Sequence, residues 1–304
     1  MNLELRSPRL DELAALTNLV NRDSEELFGE REATPELIKL WLTGPKLNPE
    51  TDIRVATSNG RLCGYVDIDA DPDPIYWVDL RVPPSESDDV RVALMDWVED
   101  RASERAAGNE TAVIRVFEPS VAQPEKRLLE GRGYRLIRHF YRMRIELDGP
   151  LLDPEWPDSV AVRSATPGDV DIAYEVHQET FEDSWETPRQ SFDEWKHWML
   201  REGFDPSLWF LVESPDEVSA VALCREREGE PGLGWVDVLG VRRPWRRQGL
   251  GRALLLHAFH EFRRRGFHAA ALGVDAESLT GANRLYESVG MRVVRQSNVY
   301  EKAL

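Results

Sequence analysis

Residues 238–259 have the sequence VLGVRRPWRRQGLGRALLLHAF, and the fold assignment of this 304-residue chain rests on them. An alternating apolar run ends at Val241, which predicts a buried strand over 234–241. A basic turn with two glycines follows at 246–251. Apolar residues then recur at helical spacing, so we predict a helix over 249–265 that stops at Gly266.

The turn at 246–251 has the features of an anion site. Glycines allow a close backbone approach, and the free N–H groups at a helix start attract phosphate. Eight arginines and one acid, Glu261, lie between 242 and 265. A P-loop is excluded because no Lys follows the glycines, and Leu254 breaks the dinucleotide-binding spacing. From these residues alone, a phosphate site and a glycine turn with surface arginines both stay open.

Working outward, the second half of the chain alternates strand and helix patterns. Strands are predicted at 160–164, 208–213, 218–226, 268–274 and 291–302. Helices are predicted at 168–181, 191–202 and 281–289. Mixed strands with helices on both faces predict an α/β (α+β) fold.

The chain also contains an internal repeat with an offset of about 157 residues. WVDLRVPP (77–84) resembles WVDVLGVRRP (235–244), in which the second copy has one extra residue. KRLLEGRGYRLIRHFYRM (126–143) aligns with NRLYESVGMRVVRQSNVY (283–300). Several matches in one order indicate duplication, and the Pro- and Gly-rich segment 148–158 separates the copies. We therefore predict domains at 1–150 and 151–304.

Composition excludes several classes of protein. Lys and Arg number 38 against 55 Asp and Glu, a net charge of −17 that disfavours nucleic acid and anionic lipid as partners. No apolar run approaches the ~18 residues of a membrane span. The N-terminus lacks the apolar core of a signal peptide. Cys63 and Cys224 cannot form a disulfide framework, so we expect a cytoplasmic protein.

Two motifs resemble the signatures of the GNAT N-acetyltransferase superfamily. Arg246-Arg247-Gln248-Gly249-Leu250-Gly251 fits R/Q-x-x-G-x-G/A between a strand and a helix. ANRLYESVGM (282–291) is similar to the second signature, in which an Asn and a Tyr lie on a helix beside the cofactor. The resemblance covers the second copy well and the first in outline, so the chain resembles two tandem GNAT-like mixed-sheet domains.

The resemblance implies acetyl-CoA as the acetyl donor and a small-molecule amine as the acceptor. It implies that Tyr286 protonates the leaving thiolate and that Asn283 helps hold the cofactor. The pantetheine arm would pair with strand residues, namely Leu239, Gly240 and Val241. The pyrophosphate would lie on the turn, namely Arg246, Arg247, Gln248, Gly249, Leu250 and Gly251. No metal is implied: His257 and His260 lack further ligands nearby.

The base that deprotonates the amine has several candidates in the sequence. Many relatives place a Glu on the central strand, where this chain has Trp235. Asp237 lies on the same strand face and is our candidate, although a structural Asp remains the alternative because Asp79 matches it in the first copy. Glu182 and Glu186, in the acidic and aromatic stretch 175–198, are reserve candidates. That stretch suits a cationic amine or forms an ordinary solvated helix face.

The first copy lacks the functional residues of the second. Leu129 matches Tyr286, and acidic SESDDV (85–90) replaces the basic turn. We therefore predict a degenerate N-terminal domain and an active C-terminal domain. The prediction is an N-acetyltransferase that works by direct attack of a bound amine. Acetylation of an amino-sugar thiol and a non-catalytic CoA-binding scaffold are the alternatives, and the oligomeric state is left open.

Overall fold

The computed structural model describes residues 3–70, 74–185, 187–278 and 281–304. The chain divides into two compact units. The N-terminal unit comprises Met1–Phe140 and Gln296–Leu304, and the C-terminal unit comprises Tyr141–Arg295. The limits 1–150 and 151–304 stay a prediction drawn from the repeat.

Strands and helices alternate along the chain in two similar series. The first series is β1 (Leu3–Arg6), α1 (Leu13–Phe28), α2 (Pro35–Leu42), β2 (Ile53–Ser58), β3 (Arg61–Ala70), β4 (Ile75–Arg81), α3 (Asp88–Ala106), β5 (Val113–Pro119), α4 (Gln123–Gly131) and β6 (Arg135–Glu146). The second is β7 (Ala161–Ser164), α5 (Val170–Thr180), α6 (Phe192–Met199), β8 (Trp209–Glu213), β9 (Val218–Glu226), β10 (Leu233–Val241), α7 (Leu250–Arg264), β11 (Ala269–Asp275), α8 (Ala282–Ser288) and β12 (Arg292–Ala303).

The N-terminal unit is built on the strand order β1-β2-β3-β4-β5-β12. Its neighbouring strands are antiparallel except β4 and β5, which are parallel. Leu94 and Val98 of α3 are buried in the core on one face of the sheet. Leu16 of α1 and Ile38 of α2 are buried in a second core.

The C-terminal unit follows the same plan, with the strand order β6-β11-β10-β9-β8-β7. Alternate residues of β9 enter different cores. Ala220 and Ala222 belong to the core that contains α7, whereas Val221 and Leu223 belong to the core that contains Trp195 of α6. Helices therefore cover both faces of a mixed sheet, which confirms the predicted α/β (α+β) class.

The last strand of each repeat completes the sheet of the other unit. β12 pairs antiparallel with β5, from Ser297 opposite Pro119 to Ala303 opposite Val113. β6 lies beside β11, and Met143 of β6 and the adjacent Leu147 are buried in the C-terminal core. The repeat had aligned 126–143 with 283–300, so the exchanged strands are the ones that match in sequence.

The strand and helix predicted around the basic turn agree closely with β10 and α7. The apolar stripe predicted for the helix is wholly buried: Leu250, Leu254, Leu255, Ala258, Phe259 and Phe262. The helix ends two residues before Gly266, whose φ of +86° favours glycine. The turn between strand and helix is therefore held from both sides by buried elements.

Candidate active site

The site begins where β10 separates from β11. The parallel pairing of the two strands runs only from Leu233 to Val236, opposite Ala269 to Leu272. β10 stays paired with β9 as far as Val241. Over the described residues, one edge of the second half of β10 therefore has no recorded strand partner.

The backbone groups of Leu239 and Val241 face this open edge. The amide of Arg242 donates to the carbonyl of Ser219 at 3.0 Å, and residues of an antiparallel pair alternate between bonded and non-bonded positions. Gly240 is therefore bonded towards β9, while its two neighbours point their N–H and C=O groups away from β9. The Val241 carbonyl accepts a hydrogen bond from Nε of Arg246 at 3.0 Å.

Gly240 is needed for packing against α5. A Cβ atom built on Gly240 would lie 2.3 Å from Oγ1 of Thr180, and Thr180 is buried with this hydroxyl donating to the carbonyl of Val176 at 2.7 Å. Any side chain at 240 would push β10 away from α5. The glycine is therefore explained by a protein contact.

A β-bulge at Asp237 changes which face the strand presents. The register with β9 shifts between Val236 and Val238. Val236 consequently packs in the core of α7, and Val238 packs in the core of α5 and α6. The extra residue in the second copy of the repeat is accommodated by this bulge, since the register of β4 with β3 has no shift.

Asp237 lies in a cleft of about 330 Å³. Nε of Arg225 donates to its Oδ2 at 2.8 Å, and Nη2 of Arg201 lies 4.0 Å from its Oδ1. Burial raises the pKa of Asp237, and the two guanidinium groups oppose that rise. The cleft is also lined by Phe204 and Trp209, so its lining combines aromatic side chains with charged ones.

The turn at 246–251 exposes backbone amides. Arg247 and Gly249 have φ values of +62° and +86°, and α7 begins after Gly249 with no side-chain cap. A Cβ atom on Gly251 would make ordinary contacts with Val241 and Leu285, at 3.5 and 3.6 Å. The first N–H groups of α7 are therefore left for water or a ligand.

Acids from the end of α5 neutralise much of the basic turn. Asp183 accepts hydrogen bonds from Arg243 and Arg246, at 2.7 and 2.8 Å. These contacts hold the pKa of Asp183 low, at about 2. Within the described residues, Arg247 and Arg252 make no ion pair. The side-chain Nε2 of Gln248 donates to the carbonyl of Pro244 at 3.0 Å.

Several acids of the stretch 175–198 form ion pairs with arginines of the basic segment. Glu179 pairs with Arg242 at 2.9 Å, and Glu182 lies 3.6 Å from Arg243. Glu186, the other reserve candidate for the base, lies outside the described residues. The arginine turn and the acidic stretch were predicted as two separate charged surfaces, whereas several of their residues are partners.

Tyr286 and Asn283 lie on the short helix α8. Tyr286 is buried, and burial raises its pKa to about 12. Its hydroxyl makes no hydrogen bond to any described residue. Nδ2 of Asn283 donates to the carbonyls of Asp275 and Ala276, at 3.2 and 2.9 Å, and its buried Oδ1 has no hydrogen-bond partner among the described residues. Asn283 therefore ties α8 to the end of β11.

Among the described residues, no group of three or more His, Cys, Asp or Glu side chains is placed to hold a metal ion. His257 packs edge-on against Phe210, with ring centroids 4.9 Å apart. No helix in the part of the chain that the structure describes is both long and apolar enough to cross a bilayer.

The residues that sequence reasoning missed are Arg201, Arg225 and Glu228. They come from the end of α6, from β9 and from the loop after β9, and only the folded sheet brings them to Asp237. The alternating charges of Arg225-Glu226-Arg227-Glu228 were the available signal. Without the strand register, such a run indicates no more than a solvated strand end.

Comparisons with known proteins agree with this geometry. Residues 170–291 match the acetyltransferase (GNAT) family. A mycothiol acetyltransferase of Thermobispora bispora is 36% identical over 54% of this chain and 57% of its own length. One of Salinispora arenicola is 30% identical over 80% of this chain and 78% of its own. The crystal structure of a GCN5-related N-acetyltransferase from Sphaerobacter thermophilus has a TM-score of 0.81 and 29% identity, over 99% of this chain and 95% of that one.

Proposed function

The chain belongs to the acetyltransferase (GNAT) family, and from this premise we propose that its C-terminal unit transfers acetyl from acetyl-CoA to the primary amine of a small acceptor. The chain is an acyltransferase by family. The observation that carries the proposed site is the open edge of β10 beside the uncapped start of α7. That combination occurs where the two family motifs meet.

The backbone of this region fits an extended, anionic donor. Leu239 and Val241 can hydrogen-bond an amide-containing arm along the open edge. The N–H groups from Arg246 to Gly251 can hold a pyrophosphate, since a helix start favours negative charge. Gly240 allows β10 to pack closely against α5, and Asn283 holds α8 in place at the end of β11. When bound, acetyl-CoA supplies an acetyl group activated as a thioester.

Two side chains are proposed to move protons. Asp237 accepts the proton of the attacking amine, since burial raises its pKa towards the range useful to a base. Tyr286 is protonated at neutral pH because burial raises its pKa to about 12. Its hydroxyl makes no hydrogen bond to any residue that the structure describes, so it is available to donate its proton to the departing sulfur.

The acceptor is proposed to be an amino-sugar thiol, as the names of the relatives suggest. The earlier argument for a strongly cationic acceptor loses support because Glu179, Glu182 and Asp183 are paired with arginines. Asp237 still offers a carboxylate oxygen to an ammonium group. Cys63 and Cys224 are free and buried, in keeping with a reducing cytoplasm as the proposed location.

Acetyl-CoA binding to the full chain tests the donor site. We expect acetyl-CoA to raise the melting temperature, because it binds only the native state. Gly249→Val should abolish this rise, since the φ of +86° at Gly249 is costly for a β-branched residue. Gly108→Val is the matched control: Gly108 has a φ of +83°, also has open space around it, and lies in the N-terminal unit.

CoA release in a panel of amines tests the activity itself. The panel should contain amino-sugar thiols, polyamines, aminoglycosides and peptide N-termini. Release that depends on one acceptor class identifies the substrate class. A protein that binds acetyl-CoA tightly but releases CoA with no amine would instead be a CoA-binding scaffold, and the proposed activity would be wrong.

A further inference from the structure

Asp237 is one corner of a four-membered ring of charges. Arg225 contacts both Asp237 and Glu228 through its guanidinium group. Arg201 donates from Nε to Glu228 at 2.6 Å and approaches Asp237 at 4.0 Å. The side chains of all four residues are 13–20% exposed. Two cations and two anions alternate, so the formal charges cancel inside the cleft.

The ring leaves one oxygen of Asp237 free. Oδ2 accepts the hydrogen bond from Nε of Arg225, whereas Oδ1 makes no hydrogen bond to any described residue. The gap of 4.0 Å between Oδ1 and Nη2 of Arg201 is too long for a hydrogen bond. Oδ1 therefore keeps a lone pair for a group entering the cleft.

We propose that Arg225 and Glu228 are positioning residues for Asp237: Arg225 fixes Oδ2 so that Oδ1 faces the acceptor, and Glu228 balances the guanidinium charge that would otherwise weaken Asp237 as a base. This inference rests on the proposed role of Asp237 in acetyl transfer. It adds three residues, Arg201, Arg225 and Glu228, to the machinery of the same site.

The physical reason lies in the basicity of a carboxylate beside two guanidinium groups. A single carboxylate facing two cations is held ionised and is a poor proton acceptor. Glu228 forms ion pairs with both arginines, so each cation is shared between two anions. In agreement, burial and Glu228 raise the pKa of Asp237, and Arg225 and Arg201 lower it.

The other elements around Asp237 bring few further charges. Cys224 on β9 is buried, and burial with the nearby Asp237 raises its pKa well above the usual range. The cleft is also lined by charged residues that make no recorded contact with Asp237, namely Glu202, Glu226 and Arg227. Oε1 of Glu226 accepts from the amide of Gly232 at 2.7 Å. Among the described residues, Glu228 is therefore the one acid besides Asp237 whose carboxylate contacts Arg201 and Arg225.

The described part of the first copy of the repeat shows no ring of two arginines and two acids around the matching aspartate. Asp79 matches Asp237, but Asp79 lies opposite Asp67 on β3, and the arginine that pairs with Asp79, at 2.8 Å, is Arg81 of its own strand. Two carboxyls that face each other cannot both ionise easily, and burial with Asp79 raises the pKa of Asp67 to about 8. The matched aspartate is thus held differently in the copy without the family motifs.

A direct titration of Asp237 tests the proposal without any acceptor. The protein is labelled with carbon-13 at the aspartate carboxyls, and the Asp237 signal is assigned by its loss in Asp237→Asn. Glu228→Gln should lower the pKa of Asp237 by about one unit, because a charge has been removed and the shape kept. Glu228→Asp should restore the original value, and Arg225→Gln should raise it.

Glu226→Gln is the matched control: it removes a neighbouring acid whose carboxylate accepts from the amide of Gly232, and it keeps the backbone carbonyl that contacts Arg225. An Asp237 pKa that stays fixed or rises in Glu228→Gln overturns the proposal, and so does an equal shift in Glu226→Gln. If Glu228→Gln fails to fold, Arg201→Gln decides, because it should raise the same pKa. The rate of acetyl transfer is then measured against pH, which tests the proposed function independently of the titration. If no acetyl is transferred, the proposed function is wrong, but the titration of Asp237 still decides the roles of Arg225 and Glu228.

Discussion

Tyr286 is a largely buried residue whose hydroxyl accepts and donates no hydrogen bond among the described residues, so the hydroxyl is free to contact a ligand. We expect Tyr286→Phe to reduce acetyl transfer by about 10²-fold or more, the usual contribution of a positioned proton donor. Binding of acetyl-CoA should change little, because only the hydroxyl is removed. Steady-state turnover and a binding titration on the same preparation measure the two effects.

The control for this variant is Tyr134→Phe. Tyr134 is also buried, and burial raises its pKa well above the usual range, but it belongs to the N-terminal unit. The rate of acetyl transfer by Tyr134→Phe should match that of the wild type. Unchanged turnover in Tyr286→Phe, with binding intact, would remove Tyr286 from the mechanism.

Gly240 gives a second prediction at the scale of single residues. Gly240→Ala should destabilise the protein by about 1–3 kcal/mol, because the new methyl group meets Oγ1 of Thr180. Thr180→Ala removes that oxygen and should recover part of the loss in the double variant. Chemical denaturation of the four proteins measures this coupling. Strictly additive effects would mean that Gly240 is needed for another reason.

These residues show where sequence reasoning succeeds and where it stops. The motif located Gly240 in the site, but the close approach of Thr180 depends on how α5 packs on the sheet. Arg246 was expected to face a phosphate with its charge free. It pairs instead with Asp183, 63 positions away, and no periodicity in the sequence reports a contact of that kind.

At the scale of elements, the turn before α7 carries less unpaired positive charge than its arginines suggest, because Asp183 pairs with two of them. Asp183→Asn should free Arg243 and Arg246 from their shared carboxylate. We expect acetyl-CoA to bind several-fold more tightly at low salt, and the gain to shrink as salt screens the charges. Calorimetric titration at two ionic strengths measures it.

Asp193→Asn is the control for this change. Asp193 is an exposed acid on α6 that pairs with Lys196 at 2.8 Å. Affinity should be unaltered in that variant. Weaker binding in Asp183→Asn would show that the acid orients Arg246 for the ligand, contrary to the expected electrostatic release.

β10 and α7 also show how much of the fold could be predicted from the sequence. β10 and α7 were predicted within one residue at each end, because their apolar periodicity is strong and glycines bound the helix. The bulge at Asp237 was visible only as one extra residue in the repeat. Its consequence, that Val236 and Val238 face opposite cores, needed the register with β9.

At the scale of the whole molecule, a buried acid in the N-terminal unit links the stability of that unit to pH. The N-terminal unit buries Asp23, and this burial raises its pKa to about 7. The unfolded chain has an ordinary Asp pKa near 3.9. The stabilisation linked to the protonated form is therefore fully present below about pH 4 and is lost as the pH rises through 7.

We expect the melting temperature of the N-terminal unit to fall between about pH 4 and pH 7 and to level off at higher pH, and Asp23→Asn to flatten that dependence. Calorimetric melting at several pH values measures it, and Asp171→Asn, an exposed acid at the start of α5, is the control. An unchanged pH dependence in Asp23→Asn would assign the effect to other groups.

The exchange of strands β6 and β12 predicts which C-terminal fragment of the chain folds on its own. The sequence repeat suggests a fragment 151–304, but Met143 and Leu147 belong to the C-terminal core and lie outside it. Losing buried side chains of this size costs about 2–5 kcal/mol each, and the edge of β11 would be left unpaired. We expect 141–295 to unfold cooperatively and bind acetyl-CoA, and 151–304 to aggregate or bind weakly. In the full chain, Met143→Ala should lower stability, whereas Leu152→Ala, at a half-exposed position, should not. Equal stability of the two fragments would show that residues 141–147 contribute little to the C-terminal unit.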